Sequence, residues 1–275
     1  MTVPLLLVDG HNLLYRAWHG FATRILSRDK NVDRTGVFGF AALLRKAQTE
    51  HAAGYELFVA FDSETGALGR VEQDSSYKAH RAAPDAGLLE SLAQVKVALD
   101  HCGVRWVEHD GCEADDVVAT LTYRARTSGR KADIMTADKD FIQLLADPHV
   151  RLLNTGVRAD LRYTTGEHIP LRYGVHAAQW PDFRALTGDP SDGIAGVHGV
   201  GPKTAARLLA DGRHLESVPA DELRPAWAEQ WDQVRRWREM ITLASKADLP
   251  ENLLTGLPTA PLPNAAVLLD ELGLW

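Results

Sequence analysis

Cysteine is nearly absent from this 275-residue chain, which has only Cys102 and Cys112. They form no CxxC pair, so a thiolate metal site and a disulfide framework are excluded and two reduced thiols are expected. Also lacking is any apolar run long enough to span a membrane. The N-terminus, MTVPLLLVDGHN, has no basic region and no cleavage site, and the strand-like LLLVD begins almost at once. A cytoplasmic protein with no membrane partner is therefore expected. A basic excess is missing too: the formal net charge is −7, which taken alone argues against a nucleic-acid partner. There is no low-complexity tract and no internal repeat.

What is present is a globular composition, 45% hydrophobic and 24% charged. The length suits one large α/β domain, or one domain and an appendage. Three apolar runs each end in aspartate: VPLLLVD at Asp9, YELFVAFD at Asp62 and KADIMTAD at Asp138. Runs this short, continuous and partly β-branched predict buried parallel strands. Helical patterns separate them at residues 36–52, 86–101 and 113–128, with a further short run, GVRWVEH, between the last two. The alternation predicts an α/β domain with a mostly parallel sheet over residues 1–165. From 166 to 275 the pattern is helical. Its proline-rich end, from about residue 247, is expected to be irregular up to a last short apolar segment, and nothing assigns it a role.

Strand ends of an open parallel sheet are where functional groups gather. Asp9, Asp62 and Asp138 fall there, with Asp140 two residues on. GCEADD adds Glu113, Asp115 and Asp116 at a helix start. Singly, each strand-end Asp reads as a helix cap or turn former, and the GCEADD acids as ordinary first-turn residues. Together they would repel one another unless cations neutralise them. An all-oxygen donor set suits Mg²⁺ or Mn²⁺, whereas zinc would call for His or Cys in ligand spacing. Two such ions would bring the net charge to about −3 and could drive phosphodiester hydrolysis without a protein nucleophile.

The stretch LTGDPSDGIAGVHGVGPKTAARLL, residues 186–209, adds Asp189 and Asp192 and then a glycine-rich helix start. Gly196 and Gly201 have P-loop separation, but Pro202 intrudes before Lys203 and Thr204 and no strand precedes them, so a P-loop is rejected. Gly199, Val200 and Gly201 read as a hairpin turn with Pro202 at the first helical position. Such a turn suits a nucleic-acid backbone gripped without base reading; an ordinary helix–turn–helix corner is the plainer alternative. Arg16, Arg70, Lys78 and Arg81 are cations near the acids, fit to hold a phosphate and its developing charge. Tyr77 could stack on an exposed base. Taken alone, residues 70–81 read more simply as a solvated loop and Tyr77 as a packed aromatic.

These motifs together resemble the 5′ nuclease (5′–3′ exonuclease/flap endonuclease) family, in particular the N-terminal nuclease domain of bacterial DNA polymerase I and its stand-alone relatives. The matching segments are LLLVDGHNLLYRAWH, VAFDSETGALGRVEQDSSYKAHRAAPD, GCEADDVVATL, IMTADKDFIQLL, the residues before TGEHI, and FRALTGDPSDGIAGVHGVGPKTAARLL, in family order over residues 3–210. The resemblance implies a PIN-like α/β fold, a helical arch at about residues 66–90, and a helix–three-turn–helix DNA-binding element at about 186–210. It implies metal ligands at Asp9, Asp62, Glu113, Asp115, Asp116, Asp138, Asp140, Asp189 and Asp192. Phosphate-contacting cations fall at Arg16, Arg70, Lys78 and Arg81, DNA contacts at Tyr77, Gly199, Gly201, Lys203 and Thr204, and a potassium ion on the carbonyls between Gly193 and Lys203. The implied substrate is flap or branched DNA, RNA-primed flaps included, cut to 5′-phosphate and 3′-hydroxyl ends in replication and repair. With the chain ending at Trp275, no polymerase domain is expected. Two other readings stand beside it: a PIN-type RNase, and a catalytically silent branched-DNA-binding protein.

Overall fold

LLLVD forms a strand because four consecutive apolar residues can be buried on both faces of a sheet, with Asp9 left at its end. All five residues of β1 (Leu5–Asp9) are buried, as are all six of β2 (Glu56–Phe61). β3 (Arg105–Glu108), β4 (Ala132–Met135), β5 (Val150–Leu153) and β6 (Tyr163–Thr164) complete one sheet of order β3-β2-β1-β4-β5-β6. Every pairing is parallel except β5 with β6. The computed structural model describes residues 2–80 and 85–275.

Alternate strand residues feed two cores, one on each face. Leu6, Val8, Leu57, Val59 and Phe61 pack with α1 (Gly10–His19), α2 (Thr35–His51) and α4 (Ala86–His101). Between α2 and α4 lies the short α3 (Leu68–Gln73). Leu5, Leu7, Phe58 and Ala60 pack with α5 (Ala114–Thr127) and the 3₁₀ segment Asp140–Ala146. That second core runs on into the helical region: α6 (His168–Tyr173), α7 (Trp180–Thr187), α8 (Pro202–Leu208), α9 (Pro225–Ala228) and α10 (Trp231–Ile241). Each fully buried Leu or Phe contributes about 1.5–3 kcal/mol over exposure. A one-residue register slip would therefore turn both cores inside out.

Three sequence expectations need correction. The sheet is wider than the apolar runs indicated, because β5 and β6 were not marked. The arch segment carries only α3 and a series of turns up to residue 80, before α4 begins at Ala86. The last twenty residues do not join the helical region: the tail returns to the α/β layer. The backbone N–H of Leu57 donates to Thr259 Oγ1 at 2.8 Å, Gln48 Nε2 donates to the Ala260 carbonyl at 2.9 Å, and α11 (Ala265–Glu271) buries Leu268 and Leu269 in the α2 core. The physical reason is Glu56. Its buried carboxylate accepts from the Thr255 hydroxyl (2.9 Å), the Gly256 N–H (3.0 Å) and Arg130 (2.7 Å), which pins the chain as it leaves the helical region.

Candidate metal centre and nucleic-acid interface

Chain order reverses about β1: β2 and β3 lie to one side, β4 and β5 to the other. The crevice at such a switch point is the natural ligand site of an open parallel sheet. Asp9 ends β1 and caps α1, accepting the Asn12 N–H at 3.0 Å. Its other oxygen accepts from the Thr136 hydroxyl, just past β4, at 2.9 Å. Asp62, just past β2, accepts the N–H of Ala114 at the start of α5 (2.7 Å). Asp115 follows on that helix. Asp138 accepts the Asp140 N–H at 2.8 Å. Asp9, Asp62, Asp115 and Asp138 thus come from four separate segments and repel one another. Burial, reinforced by Asp62 and Asp138, pushes Asp9 up to about 7. Burial, with Asp9, Asp138 and Asp62, pushes Asp115 well above the carboxylate range.

A second group crosses between the two halves of the chain. Asp140, Asp189 and Asp192 are all buried and present oxygens within 4.8 Å of one another. Asp140 is pushed up to about 8, by burial first and then by Asp138, Asp189 and Asp192. Its Oδ1 is buried without a hydrogen-bond partner among the described residues. Asp189 is held differently: Arg184 and Ser191 bind its oxygens and, against burial, keep it below the usual carboxylate range. An orphaned buried oxygen in an all-carboxylate set fits a hard divalent cation. Beside the first group, the His11 imidazole has its Nδ1 engaged by the Asp62 N–H at 3.0 Å, and burial lowers its pKa.

Glu113 and Asp116 sit apart in their chemistry, because the arch segment supplies their cations. Arg70 donates to both, Lys78 Nζ donates to Glu113, and the Tyr77 hydroxyl donates to Glu113 at 2.9 Å. Burial works against Glu113 ionising, but Lys78 and Arg70 outweigh it and hold its carboxyl below the ordinary range. The same segment is docked on the second group: the Lys78 N–H donates to the Asp192 carbonyl at 3.1 Å. Gly193, at φ +78, lies so close that a Cβ there would come within 2.6 Å of the Ser76 carbonyl.

Two expectations fail here. Tyr77 is 5% exposed with its hydroxyl on Glu113, so it is a packed aromatic and offers no face to a base. Arg70 is fully occupied by Glu113, Asp116 and the Met240 carbonyl (2.9 Å), so it braces the arch against α5 and the helical region instead of waiting for a phosphate. Arg81 lies outside the described residues. Arg16 touches only a hydroxyl, Thr155 Oγ1 at 2.7 Å, and its charge is uncompensated among the described residues. Gly199 (φ +78), Gly201 and Lys203 are exposed at the turn into α8, with Thr204 half-buried beside them. Sequence reasoning missed His11, Thr136 and Arg184, which orient Asp62, Asp9 and Asp189. Tyr15, one residue before Arg16, is 60% exposed. Cys102 and Cys112 are unpaired and half-buried.

Family models match nearly the whole chain: the N-terminal resolvase-like domain of 5′–3′ exonucleases over residues 4–174, and their C-terminal SAM fold over residues 175–261. The chain belongs to the 5′–3′ exonuclease family. It is 40% identical over 215 residues to the thermostable DNA polymerase I of Thermus thermophilus, covering 78% of this chain and 25% of that protein. The chain thus spans about a quarter of the length of the curated relatives it matches. Among solved structures it shares its fold with the T5 D15 protein co-crystallised with metal ions (TM-score 0.66, 19% identity, 88% of this chain and 90% of that one). It likewise resembles the catalytic core of Rad2 in complex with a DNA substrate (TM-score 0.62, 14% identity, 100% and 88%). No described helix is long and apolar enough to cross a membrane.

Proposed function

We propose that this member of the 5′–3′ exonuclease family is a structure-selective, divalent-metal-dependent nuclease. It hydrolyses a phosphodiester of flap or branched DNA near the single-strand/double-strand junction, giving 5′-phosphate and 3′-hydroxyl ends, and it also degrades DNA 5′ to 3′. One observation carries the reading: seven carboxylates from both halves of the chain converge, and three of them, Asp9, Asp115 and Asp140, are pushed toward protonation by burial first and then by the charge of neighbouring carboxylates. The metal-bound T5 relative and the DNA-bound Rad2 core support it by their fold.

Asp9, Asp62, Asp115 and Asp138 would hold one Mg²⁺ or Mn²⁺, and Asp140, Asp189 and Asp192 a second. When bound, such ions supply an activated water and stabilise the leaving oxygen. The chain's own residues do the rest. Arg16, about two turns along α1 from Asp9 and uncompensated among the described residues, holds the phosphate. Lys78 shifts from Glu113 to a phosphoryl oxygen as charge develops there. Tyr15 takes the stacking role that buried Tyr77 cannot. The exposed Gly199–Gly201 turn, Lys203 and Thr204 grip the duplex backbone, with potassium on the turn's carbonyls. A DNA-processing role of this kind belongs in the cytoplasm of a bacterial cell.

The test compares three substrates in Mg²⁺: 5′-flap DNA, the same flap with an RNA 5′ segment, and single-stranded RNA. The reading predicts cutting of the first near its junction, with any cutting of the second at the same place. Preference for single-stranded RNA would instead identify a PIN-type RNase. Binding of all three without cutting in Mg²⁺ or Mn²⁺ would identify a silent binding protein.

A further inference from the structure

On the β6 side of the carboxylate centre lies a cavity of about 440 Å³. Apart from Asp138, none of its lining residues figured among the expected site residues. One side is shared with the centre itself, through Thr136 and Asp138. Its apolar wall is buried Ile142, Leu152 and Ile169, with half-buried Tyr173. Its rim is polar and cationic: Lys139 and Arg172 are exposed, and among the described residues neither has a carboxylate partner. Asp160 also lines the cavity, but it is paired with Arg158 at 2.9 Å. Once Asp138 is engaged on a cation, the remaining charge of the lining is positive. His168 adds a directed donor. Its Nδ1 accepts the Thr165 N–H at 3.0 Å, so the ring proton of the neutral form sits on Nε2. Asn154 Oδ1 is occupied by the Gly156 N–H at 2.9 Å, which leaves its amide N–H₂ to donate.

An apolar wall, a few convergent donors and two uncompensated cations, in a volume of ligand-site size, describe a receptor for a flat amphipathic anion. We propose that this cavity is a nucleotide subsite. It takes one deoxynucleoside 5′-phosphate unit, the base against the Ile142–Ile169–Tyr173 wall and the phosphate at Lys139 and Arg172. The proposal rests on the nuclease reading of the adjoining carboxylates, since the shared Asp138 sets the bound unit beside the cut. The nucleotide has two sources, the strand being cleaved or the mononucleotide released from it.

The experiment uses the whole protein in Ca²⁺, with deoxyadenosine monophosphate and deoxyadenosine as probes. The variants are Lys139→Ala/Arg172→Ala, and Arg105→Ala on β3, at the opposite edge of the sheet, as a charge control. The monophosphate should bind saturably to wild type and to Arg105→Ala, and about tenfold or more weaker to the double variant, because two charge-assisted contacts are lost. Deoxyadenosine should not distinguish the three proteins. If free mononucleotide is the occupant, the double variant loses monophosphate binding but keeps the wild-type KM for flap DNA in Mg²⁺. If the strand is the occupant, the monophosphate competes with flap DNA in Mg²⁺, the double variant escapes that inhibition, and its KM for flap DNA rises about tenfold without a change in the single-turnover rate at saturation.

Absence of saturable monophosphate binding together with an unchanged KM overturns the proposal. So does a KM rise that persists when the nucleotides beside the cut are abasic, because only a phosphate contact then remains. Should the chain cut no DNA in any divalent salt, the nuclease reading fails, while the monophosphate titration still decides the subsite.

Discussion

Glu113 ties the arch segment to the start of α5. Lys78, Tyr77 and Arg70 all converge on it, and Lys78 reaches it from a left-handed backbone, φ 54. A non-glycine residue there costs on the order of 1–3 kcal/mol, a strain that clusters at functional sites. Lys78 alone among these cations has a flexible stem and a single carboxylate partner, so it can move to a phosphate. Lys78→Ala should slow single-turnover flap cleavage by about 10²–10³, the usual loss for one preorganised electrostatic contact. The flap-DNA dissociation constant in Ca²⁺ should stay within a few-fold. Wild-type cleavage at saturation would reduce Lys78 to a binding residue. The metal-free carboxylates make a second prediction. Asp9 and Asp140 are pushed from 3.8 to about 7 and about 8. Each takes up a proton more readily folded than unfolded, so its contribution to stability is complete below about pH 4 and is lost as pH rises through 7–8. Thermal unfolding in EDTA should therefore show Tm falling from pH 5 to 9, and both excess Mg²⁺ and Asp140→Asn should flatten the fall. A metal-free Tm that rises over that window would contradict the assigned geometry. The acids were legible in the sequence because each closes an apolar run or opens a helix. The burial of Tyr77 and the occupation of Arg70 were not, because both depend on Glu113, some 36 and 43 residues away.

At the scale of elements, strands with apolar interiors announced themselves. β1 and β2 are continuous apolar runs, and α2, α4 and α5 fall within a residue or two of their expected bounds. β6 stayed hidden because two residues are too short to show a period, and β5 because Arg151 interrupts its apolar run. The tail was illegible for another reason: its partner is one buried glutamate about 200 positions earlier. Burial alone would raise Glu56, but the backbone N–H of Thr255, then Arg130, the Thr255 hydroxyl and the Gly256 N–H hold it below its ordinary value. Glu56→Ala would leave Arg130 a buried, uncompensated charge and free the strap. Removing one partner of such a pair costs about 3–5 kcal/mol. Urea unfolding should report a loss of that size, and limited proteolysis should cut near residues 255–264. An unchanged urea midpoint would show that Glu56 does not hold the tail.

Across the whole molecule, the sheet's switch point supplies Asp9, Asp62, Asp115 and Asp138 with Asp140 beside them, and the loop before α8 brings Asp189 and Asp192 to the same crevice. The second core, shared by the sheet and by helices α7, α8 and α10, fixes that meeting. In the proposed reading a chain of net charge −7 can serve a polyanion: the acids are concentrated where cations would bind, while Lys203 and the cavity's Lys139 and Arg172 are exposed. The most direct test is single-turnover cleavage of a 5′-labelled flap DNA, run in Mg²⁺, in excess EDTA, and in Mg²⁺ with Asp138→Asn. The account predicts one dominant cut near the junction in Mg²⁺ alone, a 5′-phosphate on the downstream product, no cutting in EDTA, and no cutting by a variant that melts close to wild type. Undiminished cleavage in EDTA, or by Asp138→Asn, would contradict it.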